Sequence, residues 1–131
     1  MSNTSFTLAY GCVLVAALLP MFCALLAKAG AMPRGGNRDP RAWLAAQSGW
    51  RARANAAQAN GFEGLPFFIG AVIIAHQLGA PQARLDLLAC AFIVLRLAYI
   101  ALYVSDKAMA RSLVWGLGLA VSIAILLLGW R

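Results

Sequence analysis

Acidic residues are scarce in this 131-residue chain. Asp39, Glu63, Asp86 and Asp106 stand against 11 lysines and arginines. Residues 6–27 and 112–130 carry no charge at all. With 63% of residues hydrophobic and a mean hydropathy of +0.77, an ordinary soluble domain is excluded. Cysteine is also sparse. Cys12, Cys23 and Cys90 lie in apolar runs without CxxC spacing, which argues against a disulfide framework or a zinc site and leaves them as small apolar packing residues. His76 is the sole histidine and has no second ligand at helical spacing, so no metal site is expected. The first residues lack the basic cluster of a cleavable leader, and the first apolar run is long enough to span a bilayer.

What is present is long apolar helix-forming sequence. A hydrocarbon core of ~30 Å takes about 20 apolar residues. The pattern predicts one domain over residues 1–131, with spans at about 6–27, 55–78, 85–104 and 112–130. Residues 28–54 form a loop, in which residues 31–40 carry two prolines, two glycines, Asn37 and Asp39. Asp39 and Pro40 have the N-cap and first-turn signature of a helix start. No strong breaker follows before Pro66, so residues 41–77 read as one long helix whose first half lies at the membrane interface. Gly79 suits that helix's C-terminal cap, and Ser105-Asp106 reads as the cap before the last span. On that span Gly116 and Ala120, then Gly118 and Ser122, place small residues four apart, a spacing that permits close helix approach. Trp43, Trp50, Trp115 and Trp130 lie near span ends or in the loop, as interfacial aromatics do.

Charge sets the expected orientation. Lys28, Arg34, Arg38, Arg41, Arg51 and Arg53 fall in the first loop, and Lys107 and Arg111 flank the third. The positive-inside rule therefore puts those loops in the cytoplasm and both termini outside, with Arg131 a minor exception.

Two charges fall at membrane depth, Glu63 and Arg96. Each is expensive in hydrocarbon unless paired or facing a polar cavity. Asn60, Glu63 and Phe67 share a helix face, with Arg53 two turns earlier, and Arg96, Tyr99 and Tyr103 share another. The simplest expectation is a buried Glu63–Arg96 ion pair that fixes helix register. Arg53, Gln58, Asn60, Tyr99, Tyr103 and Arg111 at one depth further suggest a site for a small anionic ligand bearing carboxylates and amides.

The stretch Asn60-Gly61-Phe62-Glu63-Gly64-Leu65-Pro66-Phe67 resembles the NxxExxPxF signature of the MAPEG family, the membrane-associated proteins of eicosanoid and glutathione metabolism. Arg96 to Tyr103 is similar to that family's RxxYxxxY segment, and Arg111-Ser112 to the arginine-serine that opens its fourth helix. The resemblance implies an all-α integral membrane four-helix bundle that assembles as a homotrimer, with glutathione as co-substrate bound between subunits. It implies that Asn60 and Glu63 hold glutathione's backbone and amino end, and that Arg53, Arg96, Tyr99 and Tyr103 bind its carboxylates and line the site. Gln58 matches a polar position of the family, and Arg111 would stabilise the thiolate. One departure is Ala56, where relatives often carry arginine.

The function expected from these readings is a multi-pass membrane glutathione transferase or peroxidase acting on lipophilic electrophiles, in a bacterial-type member residing in the inner membrane. The expected partners are other copies of the chain and the bilayer, not nucleic acid. A non-catalytic bundle of the same fold is the alternative. A small four-span transporter fits less well, because such proteins carry their membrane carboxylate in the first span, which here has no charge.

Overall fold

The computed structural model describes residues 5–130; Met1–Thr4 and Arg131 lie outside the described residues, and with Arg131 the exception it makes to the charge pattern. Four long helices carry the fold: α1 (Leu8–Lys28), α3 (Gly49–Gln77), α4 (Gln82–Val104) and α5 (Ala108–Leu127). A short helix, α2 (Pro40–Ala45), lies in the first connection after a 3₁₀ turn at Gly36–Arg38. All four long helices are apolar enough to cross a membrane, with mean hydropathies from 1.2 for α3 to 2.3 for α1 and α4. The value for α3 is lowest because its apolar stretch is interrupted by Asn60, Glu63, Pro66 and His76.

The expected single helix over residues 41–77 is two helices. Ser48 is extended at φ −131°, and Gly49 enters α3 at φ 64°, a left-handed conformation that glycine adopts without a Cβ penalty. The Gln47 amide donates to the Trp43 carbonyl and closes α2 before the turn. The sequence signal for this break is the Ser48-Gly49 dipeptide, a turn former.

The remaining helix ends reflect local chemistry. The Thr7 hydroxyl accepts from the Tyr10 amide at the start of α1. Asp39 accepts from the Ala42 amide and Pro40 occupies the first turn of α2. Gly79, at φ 74°, ends α3 while the Ala80 amide returns to the Ala75 carbonyl. Ser105 and Asp106 do not cap α5 as expected. Instead the Ser105 hydroxyl donates to the Ala101 carbonyl and completes α4, and α5 begins without a side-chain cap.

Short connections make α3, α4 and α5 antiparallel neighbours. α3 and α4 form the short diagonal of the bundle, each touching all the other long helices, while α1 and α5 flank them. The core at the end away from the basic loop is built from Ala9, Ala16, Ala71, Ala75 and Ala89 around Phe68 and Phe92. Small residues allow close backbone approach where lipid offers no hydrophobic drive for association. The Phe68 and Phe92 rings stack with centroids 4.0 Å apart. Pro20 of α1 seats on Gly61 of α3, where a Cβ would come within 2.9 Å of the proline ring. Of the two small-residue stripes on α5, Gly118 and Ser122 are buried, whereas Gly116 and Ala120 face outward. Leu14, Leu18, Phe22 and Leu25 on α1, with Leu87 and Val94 on α4, are exposed. A continuous apolar exterior of this kind is what a bilayer requires.

Candidate functional site

At the basic end of the bundle, α3, α4 and α5 bring together a chain of polar and aromatic side chains. Arg96 is 9% exposed. A guanidinium this deep needs an acceptor, and Arg96 Nη1 donates to Asn60 Oδ1 at 3.0 Å. The guanidinium carbon lies 4.4 Å from the centre of the Tyr99 ring. Tyr99 meets Tyr103 edge to face at 5.6 Å, and the Arg111 guanidinium sits 4.2 Å over the Tyr103 ring. The helical spacing of Arg96, Tyr99 and Tyr103 places them on one face of α4, and Arg111 enters from the first turn of α5. Two cation–π contacts and one charge-assisted hydrogen bond thus link three helices.

Two cavities open beside this ladder. One, of about 190 Å³, is lined by Asn60, Tyr99, Tyr103, Arg111, Ser112 and Trp115. The other, of about 290 Å³, runs deeper between α3, α4 and α5, past Glu63, Phe67, Phe92, Leu95, Val114 and Leu119, to Ser122. They share Asn60, Tyr99 and Trp115. The first is walled mainly by polar groups; the second is a mostly apolar slot with Arg96 and Glu63 at its edge. Trp115 is thus a wall of the site as well as an aromatic near a span end. Its position seven residues before the buried Ser122 places both on one face of α5, and that is the signal the sequence offers.

The expected Glu63–Arg96 ion pair is not formed. Arg96 uses Asn60, and Glu63 is exposed on the outer surface of the α3 face while still lining the deeper cavity. One turn separates the two α3 residues, so the shorter Asn60 reaches the guanidinium and Glu63 is left facing outward.

Arg53 and Gln58 stand apart. Arg53 Nε donates to the Val104 carbonyl at 3.1 Å, at the C-terminus of α4. Arg51 does the same for α1, donating to the Ala27 carbonyl at 2.9 Å. Both guanidiniums therefore satisfy orphan carbonyls at the negative end of a helix dipole, and neither lines the two cavities. Gln58, two residues from Asn60, projects about 160° away around α3. It lines a third cavity of about 590 Å³ between α1, α2 and α3, together with Lys28, Arg41, Gln47, Asn55 and Ala56. Among the described residues no cluster of histidine, cysteine or carboxylate could hold a metal.

A family model for MAPEG matches residues 8–130. This chain belongs to the MAPEG family. No individually curated protein matches the sequence. MAPEG proteins are membrane proteins of glutathione and eicosanoid metabolism, and the four apolar helices agree with an integral, multi-pass bundle. The match runs from the first residue of α1 to the end of the described chain, so it takes in every residue of the ladder.

Proposed function

We propose that this MAPEG protein is a membrane-embedded glutathione-dependent transferase or peroxidase, with the thiol activated beside Arg111. The supporting observation is the junction of the two cavities. A pocket bounded by Arg111, Tyr99, Tyr103 and Asn60 suits a small peptide carrying carboxylates and amides. The apolar slot behind it suits a lipophilic electrophile that reaches the site through the bilayer. A thiolate, not a thiol, is the nucleophile, and a guanidinium at a helix N-terminus favours the thiolate on both counts. Arg111 lies in the first turn of α5, where its own amide bonds to the Lys107 carbonyl. The sulfur would then form a bond to the electrophilic carbon as the leaving group departs with its electron pair. With a hydroperoxide instead, the sulfur takes the terminal oxygen, the O–O bond breaks and the alcohol leaves; a second glutathione then attacks that sulfur, releases water and gives the disulfide.

A homotrimer completes this reading. Glu63 faces outward at membrane depth, where lipid is a costly neighbour. The cavity on the α1–α3 side carries Lys28, Arg41 and Gln58. Placing the α3–α5 face of one copy against the α1–α3 face of the next gives a heterologous ring, brings cations toward Glu63, and returns Gln58 to the ligand. The ligand site is then shared between subunits.

Two observations favour a second reading, a non-catalytic bundle. Ala56 stands where relatives often carry arginine, and Arg53 is engaged with Val104. Ultraviolet thiolate absorbance of glutathione added to the reconstituted protein separates the two. A thiolate band near neutral pH, with conjugation of a model electrophile, supports the enzyme. Glutathione that stays a free thiol in the presence of saturating protein overturns it.

A further inference from the structure

The end of the bundle away from the basic loop holds a pair of thiols that the proposed reaction does not use. Cys12 on α1 and Cys90 on α4 are 78 residues apart in sequence, yet their sulfurs are 3.7 Å apart. Neither is in a disulfide, and the remaining cysteine, Cys23, belongs to a separate part of the core. The contact is held in register by a neighbouring link between the same two helices. Asp86 Oδ1, one turn before Cys90, accepts from the Ala9 amide at 2.9 Å, less than a turn before Cys12. The same oxygen accepts from the Gln82 amide at 2.7 Å, which fixes the carboxylate. Helices α1 and α4 therefore cannot slide past each other without breaking a partly buried bond at that level.

The two thiols differ in access. Cys12 is 6% exposed, inside the alanine-rich core. Cys90 is only half-buried and lies between Leu87 and Val94 on α4, both exposed on the apolar exterior. One sulfur is thus reachable from the hydrocarbon phase and the other waits behind it, an arrangement in which the first can be oxidised and the second can resolve it.

We propose that Cys12 and Cys90 form a redox-active dithiol that reduces organic hydroperoxides dissolved in the bilayer, closing to an interhelical disulfide. Cys90 attacks the terminal oxygen of ROOH as its thiolate, its proton passing to the departing alkoxide. The O–O bond breaks, ROH leaves with the thiol proton, and Cys90 becomes a sulfenic acid. Cys12 then attacks that sulfur, the S–O bond breaks, and water leaves. In total two thiols and one hydroperoxide give one disulfide, one alcohol and one water. A disulfide needs its sulfurs ~2.05 Å apart, so the 3.7 Å contact must shorten on closure.

The test uses the full chain in liposomes without reductant. It is treated with cumene hydroperoxide, quenched with acid, denatured, alkylated with a maleimide and weighed intact. The expected result is a fall from three alkylated cysteines to one, with one hydroperoxide consumed per protomer. Proteolysis should yield the Cys12 and Cys90 peptides joined by a bond that dithiothreitol cleaves. Cys23→Ala should still close the bridge, whereas Cys12→Ala and Cys90→Ala should not. Three alkylated cysteines after treatment, a bridge that includes Cys23, or a bridge between two copies of the chain would each overturn the proposal. Arg111→Ala keeps the crosslink, which separates this chemistry from the glutathione site.

Discussion

Replacing Asn60 by leucine isolates the one bond that holds a buried guanidinium at the centre of the site. The side chains share one branched skeleton of four heavy atoms, so the change removes the acceptor for Arg96 Nη1 while keeping the shape at Cγ. Arg96 keeps the face of Tyr99 at 4.4 Å, worth about 0.5–2 kcal/mol, but loses a charge-assisted hydrogen bond worth roughly 1.5–3 kcal/mol. The adjoining cavity of about 290 Å³ can admit water to the freed guanidinium, which puts the net cost toward the lower end, about 2 kcal/mol. At roughly 3–5 °C of melting temperature per kcal/mol for a chain of this size, Asn60→Leu should melt about 6–10 °C below the parent in circular dichroism. The double variant Asn60→Leu with Arg96→Met should recover part of the loss, because the uncompensated charge is gone. A single variant that melts with the parent would refute the pairing. So would a larger loss from Glu63→Gln than from Asn60→Leu, since that outcome makes Glu63 the partner of Arg96.

Gly61→Ala should lower stability by about 1–3 kcal/mol, because its Cβ would meet the Pro20 ring at 2.9 Å, whereas Gly70→Ala, with nothing within 4 Å, should be tolerated; thermal unfolding compares the two. Arg53→Met should lower stability by about 1–2 kcal/mol through loss of the α4 cap, and should leave the glutathione Kd measured by calorimetry within about twofold. Arg111→Ala should raise the pH at which the thiolate band of bound glutathione appears. One pH unit corresponds to ~1.36 kcal/mol of lost thiolate stabilisation, and an unshifted titration would assign the role elsewhere. Crosslinking in mild detergent should end at three subunits for the parent and be weakened in Glu63→Leu; an active monomer would exclude the shared site.

The ladder is legible in the sequence because helical spacing alone puts Arg96, Tyr99 and Tyr103 on one face and Asn60 and Glu63 on another. Which of the two α3 residues reaches Arg96 is not, because one turn of depth and a few degrees of rotation decide it. Arg53 shows a different limit. Its position two turns from Asn60 is compatible with a ligand contact, but the nearby C-terminus of α4 offers an orphan carbonyl, and that depends on tertiary packing. Gln58 is excluded from the Asn60 face by its spacing of two, a period that never shares a helix face. The four apolar spans are plain from their runs of uncharged residues, whereas the break at Ser48-Gly49 is obscured by the helix-favouring alanines on both sides. The meeting of Cys12 and Cys90 has no local signal, since no motif connects positions 78 residues apart.

The two arginine caps bear on how the chain is assembled during synthesis. Arg51 serves a carbonyl made 24 residues before it, so the end of α1 leaves the ribosome with that carbonyl uncapped and gains its partner only when α3 begins. Arg53 serves a carbonyl made 51 residues after it, so α4 arrives at a cap already in place. The first helical hairpin must therefore close before its ends are satisfied, while the later hairpin docks on a prepared edge. Arg53 is thus in place before the helix whose last carbonyl it serves has been made.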